Sequence, residues 1–279
     1  MNHPLPIREI GDFQITALSD GIMSASLDLL SGIEKAEADL IQRNAGINEP
    51  GDIHINCYLI RGRGRIILVD AGTGMPGNSG GQLTESLAVA GVSPDDIDTV
   101  LLTHCHPDHI GGLLDTEKMP VFKHAEIMLH PLEAQHWQDD KKLGIANERG
   151  QRNFRLVRQT LQAYGRNVHF FNGDKIAEGI LPVWLPGHTP GHTGFRIDAD
   201  DKCLLIWGDI VHYPHIQSAQ PAVSILFDTD PAEAEKTRKN ILEKAGSEKL
   251  LIAGMHLGQA GFGHVLRDGN GYRISWADK

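Results

Sequence analysis

A short run at 103–109, Thr-His-Cys-His-Pro-Asp-His, constrains this chain more than any other feature. It holds three imidazoles and a carboxylate, and crowding such groups together without a cation is costly. Alternate residues of an extended segment point the same way, so His104 and His106 can bind one metal ion together. Asp108 and His109 can then reach a second ion. The run therefore predicts a metal-binding loop.

Short strands alternate with helices along the rest of the chain. Apolar and alternating runs predict strands at Phe13–Leu18, His54–Ile60, Arg65–Val69, Thr99–Leu102, several within 168–207, Leu250–Ala253 and Tyr272–Trp276. Helices are predicted at Glu34–Arg43, Ser79–Ala90, from near His109, at Asn147–Tyr164, and from Asp230-Pro231 to Lys244. Ser19-Asp20-Gly21 predicts a turn. No linker, charge block or repeat divides the chain, so we expect one α/β domain over residues 1–279.

The segment from Ile22 to Gly46 contains one predicted helix and otherwise lacks strand alternation. Its first residues are too apolar for a freely solvated loop. The apolar side chains are Ile22, Met23, Leu27, Leu29 and Leu30. We expect the segment to form a lid at the substrate entrance or the arm of a homodimer.

Composition limits the partners and the compartment. With 279 residues and 41% hydrophobic content, the chain can bury a sizeable core, and the net charge of −10 argues against nucleic-acid or anionic-membrane partners. Only Cys57, Cys105 and Cys203 occur, so a disulfide framework is not expected. The first residues show no basic region followed by an apolar run, and no stretch could span a bilayer. We expect a soluble cytoplasmic protein that acts on a small molecule.

The run at 103–109 resembles the metallo-β-lactamase superfamily, whose H-x-H-x-D-H signature it fills. Three later segments match the family in its expected order: Pro186-Gly187-His188-Thr189-Pro190-Gly191-His192, Trp207-Gly208-Asp209 and Gly254-Met255-His256. Further similarity to the branch with methyl parathion hydrolase and quorum-quenching lactonases lies at 11–21, 68–72, 207–212 and 261–265. The resemblance implies an αβ/βα four-layer sandwich, in which two mixed sheets are flanked by helices.

The resemblance also implies a role for each matching residue. The first ion would be bound by His104, His106 and His188, the second by Asp108, His109 and His256, with Asp209 as the bridge. His192 and Asp70 would support ligands without binding metal. Such a set accepts zinc, manganese, iron or cobalt, and zinc is our expectation. Cys105 should point away from the metals by alternation.

Two ions that share a water molecule acidify it, so that hydroxide exists near neutral pH. The resemblance implies that this hydroxide attacks a lactone or ester, while Asp108 or His212 helps to protonate the leaving oxygen. His212 falls where some lactonases carry a tyrosine that touches the substrate. A packing role is the alternative for this histidine.

Three functions are consistent with these residues. The leading one is a lactone or ester hydrolase, with acyl-homoserine lactones among the candidate substrates and phosphotriester cleavage as a related activity. The second is a thioester hydrolase of the glyoxalase II type or a sulfur dioxygenase, and the dioxygenases use one iron. The third is a regulatory protein with a structural metal, which the number of ligands disfavours because a structural zinc site is closed by four.

Overall fold

The fold is built from short strands and helices that alternate along the chain. The computed structural model describes residues 5–74, 80–171 and 175–277. In chain order the strands are β1 Ile7–Ile10, β2 Phe13–Ser24, β3 Leu30–Ser31, β4 Asp52–Gly62, β5 Arg65–Val69, β6 Thr99–Leu101, β7 Glu126–Leu129, β8 Val168–Phe170, β9 Ile180–Trp184, β10 Thr193–Ala199, β11 Lys202–Ile206, β12 Ser224–Ile225, β13 Leu251–Ala253, β14 Phe262–Asp268 and β15 Gly271–Trp276. The helices are α1 Lys35–Asn44, α2 Leu83–Val89, α3 Pro107–Ile110, α4 Pro131–Gln138, α5 Asp140–Ile145, α6 Glu148–Tyr164, α7 Pro214–Gln217 and α8 Pro231–Ser247.

Most of these strands belong to two mixed sheets. The order in one sheet is β1-β2-β4-β5-β6-β7-β8, and in the other it is β15-β14-β13-β11-β10-β9. In the first sheet β5 to β8 run parallel, whereas β2 pairs antiparallel with β1 and β4. In the second sheet β11 and β13 run parallel, and the remaining pairs are antiparallel. Strands β3 and β12 form a small separate ribbon.

Consecutive residues of a central strand face opposite sides, so each strand contributes to two cores. Ile60 and Val69 pack between the two sheets, together with Phe195 of β10. Their neighbours Leu59 and Leu68 face the helices α2, α4 and α6. On the other side, α8 packs its apolar face on the outer surface of the second sheet. These layers confirm the predicted four-layer sandwich.

Two local predictions were wrong. Ser19-Asp20-Gly21 is no turn, because β2 continues to Ser24 with an irregularity between Ser19 and Gly21. The buried Asp20 carboxylate at this irregularity accepts hydrogen bonds from the backbone of Thr73, Gly81 and Leu83. The helix expected from Ser79 begins at Leu83, and Ser79 itself lies outside the described residues.

The segment 22–46 contains strand structure that the sequence did not suggest, since it includes the end of β2 and all of β3. Leu27 and Leu30 are buried in a small core with Tyr213 and Ile216. Ile22 remains 47% exposed. A lid or dimer role for the segment stays a prediction.

In the described ranges, we find no helix with the length and apolar character needed to cross a membrane.

Candidate metal centre

All seven predicted metal ligands lie at the carboxyl ends of strands or in the loops beside them. The parallel strands β5 and β6 deliver Asp70 and the loop 103–109 to the same end of the first sheet. The parallel strands β11 and β13 deliver Asp209 and His256 in the same way. A backbone hydrogen bond from Thr193 N to Thr103 O, 2.9 Å long, joins the loops of the two sheets. The predicted ligands are thereby brought together.

Three imidazole nitrogens form the first potential metal site. His104 Nε2, His106 Nδ1 and His188 Nε2 make a triangle with sides of 3.0, 3.0 and 3.2 Å. A neutral imidazole nitrogen either donates or accepts, so three mutually adjacent nitrogens cannot all pair with one another. Nitrogens bound tetrahedrally to one zinc ion at about 2.0–2.1 Å lie about 3.3 Å apart. The triangle therefore fits a shared cation.

Hydrogen bonds on the far side of the rings show which nitrogens face the centre as lone pairs. His188 Nδ1 donates to Asp228 Oδ1 at 2.8 Å. The Thr103 hydroxyl donates to Asp70 at 2.7 Å, so His104 Nδ1, 3.1 Å from that hydroxyl oxygen, must be the donor to it. The Nε2 atoms of His104 and His188 then face each other as two acceptors. This arrangement is repulsive unless a cation binds both.

The second potential site has the same construction. Its members are Asp108, His109, Asp209 and His256. His109 Nδ1 is paired with Asp70 Oδ2 at 2.6 Å, and His256 Nδ1 donates to the backbone oxygen of His54 at 2.8 Å. The His109 Nε2 atom is buried, lacks a hydrogen-bond partner among the described residues and lies 3.4 Å from Asp108 Oδ2. This nitrogen and the carboxylates beside it are placed where one cation could bind them together.

Asp209 contacts both groups through one oxygen. Its Oδ2 lies 3.7 Å from His104 Nε2, 3.4 Å from His188 Nε2, 3.2 Å from His109 Nε2 and 3.1 Å from His256 Nε2. Its other oxygen is buried and has no hydrogen-bond partner in the described part of the chain. The carboxylate is therefore placed where a ligand common to two ions would lie.

The charge states of the cluster also suit metal binding. Burial lowers the pKa of His104 and His106 well below the usual value, so both rings are neutral. Burial opposes the charged form of His109, but the carboxylates around it, led by Asp209, outweigh this effect and raise its pKa. The pKa of the Asp209 carboxyl is held well below its usual range, because neighbouring imidazoles outweigh the effect of burial. The carboxylates of the second site thus favour a positive charge beside them, which a metal ion would supply.

His192 and Asp70, which belong to the matching motifs, contact the proposed ligands. His192 is buried and accepts a hydrogen bond from Asp209 N at 2.9 Å, while its Nδ1 donates to Leu185 O at 2.8 Å. Gly208 has a φ of +61°, and a Cβ there would lie 2.3 Å from His192 Nε2, so only glycine permits this contact. Asp70 also adopts a positive φ of +59° while it bonds Thr103 and His109. His192 and Asp70 thus hydrogen-bond proposed ligands, and their role as supports stays a prediction.

A third support, Glu133 of α4, was missed by the sequence analysis. Its Oε1 accepts from Cys105 N at 3.0 Å and from Trp137 Nε1 at 2.7 Å. Its Oε2 accepts from Thr189 Oγ1 at 2.7 Å and from Gly191 N at 3.1 Å. One fully buried carboxylate therefore joins both histidine loops. Nothing in the local sequence distinguishes it from an ordinary helical glutamate.

His212 lies beside the two groups. Its Nε2 is 3.1 Å from Asp209 Oδ2, its Nδ1 is buried without a partner among the described residues, and its ring stacks on His256 at 4.9 Å. Burial lowers its pKa to about 4. With His188 and Asp209 it forms a further triad of potential ligands.

Cys105, by contrast, is buried in the core beneath the helices, as its alternation predicted.

A cavity of about 420 Å³ opens directly onto the cluster. His106, Asp108, Asp209 and His212 line its inner end. Its walls are mostly apolar and include Met23, Trp137, Phe154, Leu226 and Phe227. A second cavity of about 500 Å³ lies on the other side of His212 and His256. The cluster is thus accessible to a small molecule, unlike a closed structural site.

Comparison with known proteins agrees with this geometry. The sequence profile of the metallo-β-lactamase superfamily matches residues 50–256. The chain belongs to the metallo-β-lactamase superfamily. Within this superfamily, AidC, a dizinc quorum-quenching lactonase solved with the product N-hexanoyl-L-homoserine, has a similar structure. The match covers 99% of this chain and 98% of AidC, with a TM-score of 0.92 and 26% identity.

Two further proteins are similar to this metallo-β-lactamase superfamily member. AbOPH, a hydrolase of the β-lactamase superfamily, matches over 100% of this chain and 99% of its own, with a TM-score of 0.90 and 26% identity. The uncharacterized protein YobT of Bacillus subtilis (strain 168) is 28% identical over 147 residues, which are 52% of this chain and 58% of YobT. The match therefore spans less than two thirds of that relative.

Proposed function

We propose that the chain is a dinuclear metal-dependent hydrolase of lactones or esters, and that acyl-homoserine lactones are its leading candidate substrates. The observation that carries the proposal is the pair of potential metal sites that share Asp209 at the inner end of an open cavity. The similarity to AidC over nearly the whole chain supports the substrate class. The apolar walls of the cavity suit an acyl chain.

The proposed ligands follow from the geometry described above. His104, His106 and His188 would hold one ion, Asp108, His109 and His256 the other, and Asp209 both. Bound there, the ions would polarise a carbonyl and lower the pKa of a shared water molecule. We propose zinc because the ligands are rich in imidazole and AidC is a dizinc enzyme. Manganese, iron and cobalt remain alternatives to be tested.

The chain's own groups would position the substrate and move protons. Asp108 and His212 both line the inner end of the cavity, where the scissile group must lie. We propose that one of them hydrogen-bonds or protonates the leaving oxygen. Trp137 and Phe154 would exclude water from one side of the acyl chain. A cytoplasmic location and a homodimer complete the proposal.

The experiment is a substrate panel on purified protein with measured metal content. It contains acyl-homoserine lactones, aryl esters, thioesters and methyl parathion. The proposal expects the highest kcat/KM for a lactone or aryl ester, and loss of that activity in His188→Ala with a folded chain. A preference of more than tenfold for thioesters or methyl parathion would contradict it in favour of the alternative hydrolases. Full activity of His188→Ala would contradict the ligand assignment.

A further inference from the structure

One arginine lines the cavity in addition to the residues of the metal centre. Arg149, near the start of α6, is the only arginine or lysine among the described residues that line this cavity. Asn153 lies four residues further along the helix and lines the cavity too. Residues four apart share one helical face, so the guanidinium and the amide form a single polar surface.

Arg149 is held by an aromatic ring and has no carboxylate partner. Its Cζ lies 4.2 Å from the centre of the Phe227 ring. Among the described residues, no aspartate or glutamate oxygen lies within 4.0 Å of its guanidinium, although every other arginine of α6 pairs with a carboxylate or another side chain. The cation–π contact orients the planar group and leaves its hydrogen-bond donors available.

A single aromatic ring separates this cation from the metal centre. The Phe227 ring lies 6.0 Å from the ring of His212, and Arg149 lies on Phe227. The apolar Phe227 ring thus lies between a cation and His212, where the scissile group of a substrate would lie. A substrate that fits this pattern carries a second polar group separated from its scissile carbonyl by a short apolar chain.

We propose that Arg149 is a specificity-determining residue that binds a carboxylate at the far end of the acyl chain of the substrate. This inference rests on the proposed hydrolysis of esters or lactones. Guanidinium binds carboxylates through two parallel hydrogen bonds, and Asn153 can donate a third. The chain carries a net charge of −10, so an anionic substrate needs a local cation of this kind.

The test uses pairs of compounds that differ only in the terminal group. The ester pair is mono-4-nitrophenyl adipate and 4-nitrophenyl hexanoate, which share chain length and leaving group. The amide pair is N-phenyladipamic acid and N-phenylhexanamide, whose binding is measured by tryptophan fluorescence without turnover. We expect the wild-type protein to favour the carboxylate in each pair by about five- to tenfold, an advantage that falls with added salt.

Three variants separate charge recognition from packing. Arg149→Gln should abolish the preference for the carboxylate and leave the neutral compounds within about twofold of wild type. Arg149→Lys should keep part of the preference, because the charge remains. Arg152→Gln is the matched control: this side chain is on the same helix, pairs with Glu148 at 4.0 Å and does not line the cavity. It should keep the full preference.

The outcomes distinguish failure of the proposed carboxylate site from failure of the proposed hydrolase function. If the wild-type protein binds the acid and the neutral amide equally, the inference is overturned. It is also overturned if Arg149→Gln weakens binding of both compounds equally, which would assign the residue to packing of Phe227. A charge preference in binding without hydrolysis of any ester or lactone supports the carboxylate site and contradicts the proposed function instead.

Discussion

Asp228 Oδ1 lies 2.8 Å from His188 Nδ1, and it orients this proposed ligand across 40 residues of sequence. Its other oxygen accepts from Ile225 N at 3.3 Å and lies 3.4 Å from the buried guanidinium of Arg238. The His188 contact outweighs the effect of burial and lowers the pKa of Asp228 to about 2, so the carboxylate is ionised. The loop after β12 that contains Asp228 also supplies Leu226 and Phe227 to the cavity wall.

Asp228→Asn should therefore weaken metal binding more than folding. The asparagine side chain can still accept a hydrogen bond from His188, but it lacks the negative charge that makes the imidazole a better ligand. Loss of such a partner costs about 10–100-fold in metal affinity. Competition with a chromophoric chelator measures the zinc affinity. Asp230→Asn is the control, because the side chain of Asp230 caps α8 and an asparagine can do the same. Unchanged affinity in a folded Asp228→Asn protein would contradict the positioning role.

Glu133→Gln should loosen both histidine loops. A glutamine places its amide group against two of the four donors that now point at the carboxylate, so the expected loss of stability is about 2–3 kcal/mol. Urea unfolding of the metal-free protein measures this loss directly. The exposed Glu126→Gln of β7 should change stability by less than about 0.5 kcal/mol. If Glu133→Gln lost no more stability than Glu126→Gln, the two histidine loops would be held in place independently of Glu133.

The positions of most strands and helices and the metal-binding loop were accessible from the sequence because each depends on local patterns, whereas the layers and the later ligands came from the resemblance to a known family. Alternating strands, capped helices such as the one at Asp230, and the histidine run all keep their signal within a few residues. Glu133 and Asp228 could not be found in this way, since the histidine loops that they contact lie 28 to 58 residues away. Asp20 was misread because Ser-Asp-Gly is typical of turns, whereas tertiary hydrogen bonds hold it inside a strand.

The ion-paired Asp98 gives the fold a defined acid sensitivity. Burial opposes its charge, but the bond from Arg65 and the amide of Ile66 outweigh this and lower its pKa. The associated stability is fully present at a pH well above the unfolded pKa of about 3.9, and it is lost as the pH falls through the lowered folded pKa. Asp98→Asn should thus cost about 1 kcal/mol at pH 7 and clearly less at pH 3.5. Urea unfolding at both pH values checks this, and an equal cost at both would refute it.

His212→Ala tests whether this histidine assists the reaction. If it donates to the leaving oxygen, turnover of a lactone should fall by roughly a hundredfold with metal content unchanged. A nitrophenyl ester should lose less, because its phenolate departs without a proton. Equal small losses on both substrates would assign His212 to packing. Loss of one metal ion would place it among the ligands, as its position beside His188 and Asp209 allows.

The central claim is that two divalent ions share Asp209 and are required for hydrolysis. The most direct measurement is elemental analysis combined with zinc titration of chelator-treated protein, with lactone or aryl ester hydrolysis followed in the same samples. The account predicts that hydrolysis vanishes on chelation and returns as about two equivalents of zinc bind, with Asp209→Ala retaining fewer. Full hydrolysis with one ion or none would contradict it.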